Sequence, residues 1–304
     1  MKTKLLFSII FFFSVVISSH AAQVSYTYDA LKRLTAVTYA DGTQITYQYD
    51  AMGNRVQKKV VPAIQPPLLC ASLPSGAISW WGNDQGGADL LGVNSASLMN
   101  GVQMTDAKVG KGFLFDGVDD FLLVPVSDSL NLTSQVSFEA WIKIDPDQPA
   151  QYPYIFAKNW SLPPGNDVIE QAGNSGYGMF INRASGKFQF RSIALLELFS
   201  NKSYTEIADG QFHHIALSFD NATARLYIDG VLDSERFSYG GGISSGYGNF
   251  NMGTYGENRL NAAYQTNISN FKGILDEPTL YQRALTAEEV QKIFQAGVNG
   301  KCKP

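Results

Sequence analysis

The chain has 304 residues, a formal net charge of −4, and 16% charged residues against 45% hydrophobic ones. A mildly acidic chain of this kind has no electrostatic basis for binding nucleic acid or anionic lipid. With 28 glycines and 12% aromatic residues, the composition favours β-structure broken by frequent turns.

The opening residues read MKTKLLFSIIFFFSVVISSHAAQ. Two lysines precede an apolar run from Leu5 to Ile17, and small residues follow. That is the layout of a secretory signal peptide over residues 1–21, cut after Ala21. The apolar run falls short of the roughly 20 residues a membrane span needs. The expectation is a secreted or cell-surface protein. In an oxidising compartment its two cysteines, Cys70 and Cys302, are expected to pair. Closing so long a loop stabilises by about 5 kcal/mol on the chain-entropy argument.

Residues 26–35 read YTYDALKRLT and residues 47–56 read YQYDAMGNRV, so Tyr28-Asp29 recurs as Tyr49-Asp50. Between them TAVTYADGTQITYQY alternates around Asp41-Gly42, a hairpin signal. Two or three short strands are expected over residues 22–60. The two cores resemble the YD, or RHS-type, repeats of bacterial surface proteins and toxins. Gly53 stands where that family usually has glycine, and Lys32 stands at the matching place in the first copy. Members of the family wind many copies into β-shells, and some bind carbohydrate. Repeat units usually need three or more neighbours to bury a continuous core. Two copies therefore read as a remnant, or as a hairpin segment leaning on the next domain. Pro62, Pro66 and Pro67 then make residues 61–69 a semi-rigid linker.

From Cys70 onward the sequence reads as short strands. VSFEAWIKI (136–144) places Val136, Phe138, Ala140, Ile142 and Ile144 on one face. FHHIALSFD (212–220) and ARLYIDGVL (224–232) turn at Asp220-Asn221, and GYGMFIN pairs with GKFQFRSI around Ala184-Ser185-Gly186. In KGFLFDGVDDFLLVP (111–125), Asp116-Gly117-Val118-Asp119 reads as a hairpin turn joining Phe113 and Phe115 to a partner strand over 121–124. LTAEEVQKIFQAG predicts one helix, with Thr286 as N-cap, Glu289 completing a capping box, a Leu285–Val290 staple and Gly297 at the exit. The spacing argues for an all-β sandwich with one short C-terminal helix.

In order, SGAISWW (75–81), KVGKGFLFDGVDDFLLVP (108–125), VSFEAWIK (136–143), GQFHHIALSFD (210–220), LYIDGV (226–231) and GILDEPTLYQRALTAEEV (273–290) resemble the laminin-G-like jelly rolls of the concanavalin A-like lectin/glucanase superfamily. The resemblance implies that residues 70–304 form a two-sheet antiparallel jelly roll of roughly a dozen strands. Its first and last strands would lie side by side, in agreement with a Cys70–Cys302 clasp.

A hydrolase of this superfamily needs two carboxylates about 5–10 Å apart in a cleft. On the strand 136–144 only Glu139 is acidic; its i+2 and i+4 neighbours are Trp141 and Lys143. The E-x-D-x-x-E pattern of the superfamily's glucanases is missing, so Glu139 reads as a solvent-facing or structural residue. Asp276 and Glu277 are adjacent, as are His213 and His214, and adjacent strand residues face opposite ways. No catalytic residue is assigned, and no zinc site fits. A hard cation takes carboxylate and carbonyl oxygens, and relatives of this fold often hold calcium near the ends of the sandwich. Asp84, Asp120 and Asp276 are the expected ligands of a structural Ca2+; the alternative is that each aspartate turns or caps the chain. Sugars are held by aromatic faces and polar side chains on loops, and the aromatic-rich stretch 145–178 offers Tyr154, Trp160 and Tyr177. The sequence thus points to a non-catalytic module recognising a glycan or surface polymer. The alternative is an adhesion or structural fragment of a YD-repeat surface protein or toxin with a protein partner. A glycan hydrolase or lyase is the weakest of the three readings.

Overall fold

The computed structural model describes residues 24–39, 43–61, 70–82, 84, 86–159, 176–192, 195–199, 204–237, 243, 248–255 and 269–304. The leader and Trp160 lie outside them. The chain divides into two compact units, residues 1–67 and 68–304. Among the described residues no helix is long and apolar enough to cross a membrane.

The first unit is a four-stranded antiparallel sheet, β1 (Ser25–Tyr28), β2 (Leu34–Thr38), β3 (Gln44–Tyr49) and β4 (Arg55–Val61), in that order. The sequence signal suggested two or three strands; β4 is the charged RVQKKVV, which alternation of apolar residues alone does not mark. The repeated aspartate makes the same turn twice. Asp29 accepts hydrogen bonds from the Leu31 and Arg33 amides, and Asp50 from those of Met52 and Asn54. Both turns need a left-handed residue three positions on, filled by Lys32 (φ 60°) and Gly53 (φ 91°). Only glycine adopts that conformation without steric cost.

The second unit contains, in chain order, β5 (Ala77–Trp80), β6 (Ser97–Met99), β7 (Gln103–Asp106), β8 (Lys111–Asp116), β9 (Phe121–Val124), β10 (Val136–Ile144), β11 (Tyr154–Asn159), β12 (Gly176–Asn182), β13 (Lys187–Ser192) and β14 (Leu195–Phe199). There follow α1 (Tyr204–Ile207), β15 (His213–Phe219), β16 (Thr223–Ile228), β17 (Val231–Phe237), β18 (Phe250–Met252), β19 (Lys272–Tyr281) and α2 (Ala287–Ala296). One sheet has eight strands, ordered β17-β16-β15-β10-β19-β8-β7 with β5 also paired to β19. The other has seven, ordered β14-β13-β12-β11-β18-β9-β6. All these pairings are antiparallel.

Alternation builds the core. Phe138, Ala140, Ile142 and Ile144 of β10 face Phe156, Ile181, Phe190 and Phe250 of the opposite sheet in one buried cluster. β10 itself spans the predicted 136–144. The other face of the eight-stranded sheet is covered by α2. Leu285, Val290 and Ile293 pack there on Tyr227 and Tyr281, while Trp141 meets Phe294 and His214. The helix starts as its sequence dictates. Thr286 Oγ1 accepts from the Glu289 amide at 3.2 Å, and Glu289 accepts from the Thr286 amide at 2.9 Å. Cys70 and Cys302 are bonded, with their Cα atoms 5.0 Å apart. Ala71 pairs with Lys301 beside them.

The expected 111–125 hairpin does not form. β8 pairs with β19 and β7 in one sheet, whereas β9 pairs with β18 and β6 in the other. Residues 117–120 are a corner between the two sheets. Phe113 and Phe115, then Phe121, Leu122 and Val124, are buried, and a crossover satisfies both apolar runs from opposite sides of one core.

Candidate functional site

The corner is built by its own aspartates. Asp116 Oδ1 accepts from the Val118 amide at 2.7 Å, and Asp120 Oδ2 from the Asp116 amide at 3.0 Å. Asn100 donates to the Asp119 carbonyl at 2.9 Å, and Asn270 donates to that of Val118. One carboxylate oxygen from each of Asp116, Asp119 and Asp120 lies within 4.8 Å of the others. Asp120 is only 4% exposed, and its Oδ1 has no hydrogen-bond partner. Burial, then the neighbouring charges of Asp116 and Asp119, raise its carboxyl above the usual range. Beside the corner opens a cleft of about 480 Å³, lined by Asn100, Gln103, Asp116, Asp120, Asp145 and Lys272 among others. Lys272 pairs with Asp145 at 3.1 Å, so the lining charge left over is that of Asp116 and Asp120.

A second acidic cluster lies at the other end of β8, under the C-terminal tail. Lys301 Nζ, fully buried, sits 2.9 Å from Glu139 Oε1 and 3.4 Å from Glu277 Oε2, and 5.1 Å over the Trp80 ring. Glu139 Oε2 lies 3.0 Å from His214 Nε2, and Tyr281 donates to Oε1 at 3.2 Å. Trp80 Nε1 donates to Glu277 at 2.9 Å. Burial opposes ionisation of Glu139, but Lys301 and His214 outweigh it and hold the carboxyl at about 2. Asp276 accepts from the Val109 amide at 2.8 Å, and burial pushes it up to about 7. Glu139 is therefore an interior structural residue and does not face solvent. Asp276 and Glu277 do not face opposite ways. The register slips between Glu139 and Trp141, and Glu277 takes φ 56°. This bulge turns both carboxyls toward the Lys301 side. They make no hydrolytic pair: Asp276 and Glu277 are shut in at 0% and 1% exposure. Neither histidine has a serine or cysteine hydrogen-bond partner among the described residues; His213 is held by Asp229 and Asp209.

The three expected calcium ligands are not brought together. Asp84 and Asp276 flank the same turn. Asp84 accepts from the Lys111 amide at 2.9 Å and pairs with Lys303 at 3.2 Å. Asp120 sits beyond the far end of six-residue β8, about 17 Å away at ~3.4 Å per residue. Asp84 and Asp276 already serve protein donors and do not fit an ion shared with Asp120. The corner trio does fit a hard cation: all its ligand atoms are oxygens, and one is buried without a donor.

The aromatic expectations divide. Tyr177 is a core residue; its hydroxyl donates to the Leu130 carbonyl at 3.4 Å, and burial raises its pKa. Tyr154 stacks on Phe180 (4.8 Å between ring centroids) and meets Tyr255, largely buried. Both sit on strands, where ring faces are taken by neighbouring rings. The cleft escaped sequence reasoning because Asn100, Gln103 and Lys272 come from separate segments and carry no spacing signal.

Residues 116–291 match the family model of the concanavalin A-like lectin/glucanases superfamily, and residues 22–61 match that of the RHS repeat. No curated protein matches the chain significantly. Among solved structures, the binding domain of Paraclostridial Mosquitocidal Protein 1 is 18% identical with a TM-score of 0.55; the match covers 72% of this chain and 52% of that one. The receptor binding domain of botulinum neurotoxin D is 15% identical at a TM-score of 0.53, covering 72% and 52%. Trypanosoma rangeli sialidase is 12% identical at 0.50, covering 90% and 44%. The chain thus spans about half the length of these structures, and at such identities the likeness shows the fold alone. The matched segment includes the corner, β10, β19 and the start of α2, and on that match the chain belongs to the concanavalin A-like lectin/glucanases superfamily.

Proposed function

We propose that the second unit is a non-catalytic recognition module that binds carbohydrate or a surface polymer in the cleft beside the Asp116–Asp120 corner. The observation that carries this reading is the cleft itself. It is open, about 480 Å³ in volume, and lined by two side-chain amides, carboxylates and one lysine. Such a set of donors and acceptors suits an array of hydroxyl groups. Its excess of negative charge favours a neutral or amino sugar over an acidic one. Calcium would be held by Asp116, Asp119 and Asp120, where it would offset the crowded carboxylates and meet the unpartnered Asp120 oxygen. A signal-type leader and the RHS-repeat match support a secreted or surface location.

The test is a glycan array read with the full chain, with calcium and with chelator. Neutral glycans should bind, and Gln103→Ala should weaken binding about tenfold, the loss of roughly one good polar contact. Failure to bind any glycan with calcium present would sink the proposal. Binding that ignores Gln103→Ala but fails with Trp160→Ala would move the site away from the cleft to Trp160. The RHS repeat favours a second reading, an adhesion fragment with a protein partner. Saturable binding to a protein with no glycan bound would decide for it.

A further inference from the structure

The four-stranded sheet of the first unit is two like hairpins set side by side. In β1–β2, Ser25 lies opposite Thr38, Tyr26 opposite Val37 and Thr27 opposite Ala36. In β3–β4 the residues one repeat further on take the same places: Thr46 opposite Lys59, Tyr47 opposite Lys58 and Gln48 opposite Gln57. The sequence repeat is thus also a repeat of register. What joins the two hairpins is the antiparallel β2–β3 seam, where Ala36 lies opposite Thr46 and Val37 opposite Ile45.

This seam has a second half at each edge of the sheet. β4 is the later copy of β2, and β1 is the earlier copy of β3. Both are outermost, and neither pairs on its outer side with another described strand. Unpaired edges are templates for a further strand. Exposure points the same way. Tyr47 and Tyr49, which have a strand on either side, are half-buried, whereas their counterparts Tyr26 and Tyr28 on the edge are 58% and 57% exposed. The edge tyrosines lack the neighbour that their copies have.

We propose that the first unit binds a second copy of this chain edge to edge, with β4 of one copy pairing antiparallel with β1 of the next in the register of the β2–β3 seam. That register sets Gln57 opposite Ser25 of the second copy and Lys58 opposite its Val24. Charge selects this arrangement over a symmetric one. Pairing β4 with another β4 would crowd Arg55, Lys58 and Lys59 against their own copies, and like charges across a strand pair repel. β1 reads SYTY and carries no charge, so β4 meets no cation there. The contact is head to tail. It leaves one free β1 and one free β4 after each addition, and so propagates or closes into a ring. Further copies then supply the neighbours that a two-repeat unit lacks.

Cross-linking in the full chain tests the register. The two native cysteines are bonded to each other, so Ser25→Cys and Gln57→Cys each carry one thiol, at exposed positions. Mixed and treated with a mild oxidant, they should give a cross-linked dimer at least tenfold above either variant alone. The yield should also exceed, by a similar factor, that of Ser25→Cys mixed with Lys58→Cys, whose thiols lie on opposite faces of the sheet. The unaltered chain should sediment with an average mass that rises with concentration above that of one chain. A chain that stays monomeric at every concentration would overturn the proposal. So would a Lys58→Cys mixture that cross-links as well as the Gln57→Cys one. Dimers of Ser25→Cys alone in equal yield would overturn it in favour of a symmetric β1–β1 pair. Glycan binding enters none of these readouts, so the edge contact and the proposed function can fail separately.

Discussion

The two ends of β8 hold the same chemistry in opposite settings. At the Lys111 end, Glu139 and Glu277 are buried and paired with Lys301, and Asp276 is buried next to them with the Val109 amide as its donor. At the Asp116 end, Asp116, Asp119 and Asp120 crowd together beside an open cleft, where the one lysine, Lys272, pairs with Asp145. Burial of an acid costs several kcal/mol unless a partner answers it. At the first end the protein supplies the partner, so the acids serve as scaffold. At the second end the chain supplies backbone amides to Asp116 and Asp120 and leaves Asp120 Oδ1 without a hydrogen-bond partner. Which cation reaches an acid decides its role, and an acidic residue type by itself decides nothing.

The sharpest way to break this contrast is to remove the scaffold's cation. Lys301→Met takes the ammonium away from the buried Glu139 and Glu277 and should cost about 3–5 kcal/mol in urea unfolding. Adding Glu139→Gln to it should recover part of that loss. A cost below about 1 kcal/mol, the worth of a surface pair, would show that the cluster is not a brace. Glu139→Gln alone should act next most strongly, and mainly in acid. The Glu139 carboxyl is held at about 2, below its free value of 4.5. Its contribution is therefore present above pH 4.5 and is lost as pH falls through about 2. The variant's stability curve should be flatter than the parent's across that window. An acid limb of unchanged steepness would rule out Glu139 as its source.

The open end is tested by supplying a cation. Calcium at a hundred times its dissociation constant stabilises by about 2.7 kcal/mol, which is a rise of roughly 5–10 °C in melting temperature for a domain of this size. Chelator should reverse it. Asp120→Asn should erase it, while Asp84→Asn should leave it intact. If Asp84→Asn erases the shift and Asp120→Asn does not, the ion belongs at the Lys111 end and the contrast fails.

Much of the fold was legible because local rules and global packing agree. β10 is a run of alternating apolar residues, the capping box at Thr286 names its own partners, and two cysteines in a two-cysteine chain leave one pairing. The sheet-crossing corner was not legible. A turn between two apolar runs reads the same whether the runs pair with each other or enter opposite sheets, and only the wider pairing of β8 with β19 and β9 with β18 decides. The site was less legible still. Lys301 looks like a solvated tail lysine, Glu139 like a polar-face residue, and the Asp276–Glu277 bulge departs from the strict alternation that any strand reading assumes. The calcium expectation named Asp120 together with two residues at the opposite end of β8, since sequence order says nothing about which end of a strand a loop will visit.

The smallest expected effect sharpens a comparison inside the first unit. Its two aspartate turns differ at one position, Lys32 against Gly53, and both residues are left-handed. A side chain there costs about 1–2 kcal/mol relative to a relaxed conformation, and glycine gives back part of that gain through unfolded-chain entropy. Lys32→Gly should therefore stabilise the first turn by about 0.5–1 kcal/mol, read as a two- to fivefold slowing of exchange at the Arg33 amide, which donates to Asp29. Gly53→Lys should move the Asn54 amide the other way by a similar factor, since it bonds Asp50 in the same manner. Opposite changes of like size would mean that the two copies are one turn written twice. A Lys32→Gly variant with faster exchange would mean instead that the Lys32 side chain supports its turn, and that the copies have diverged in structure as well as in sequence.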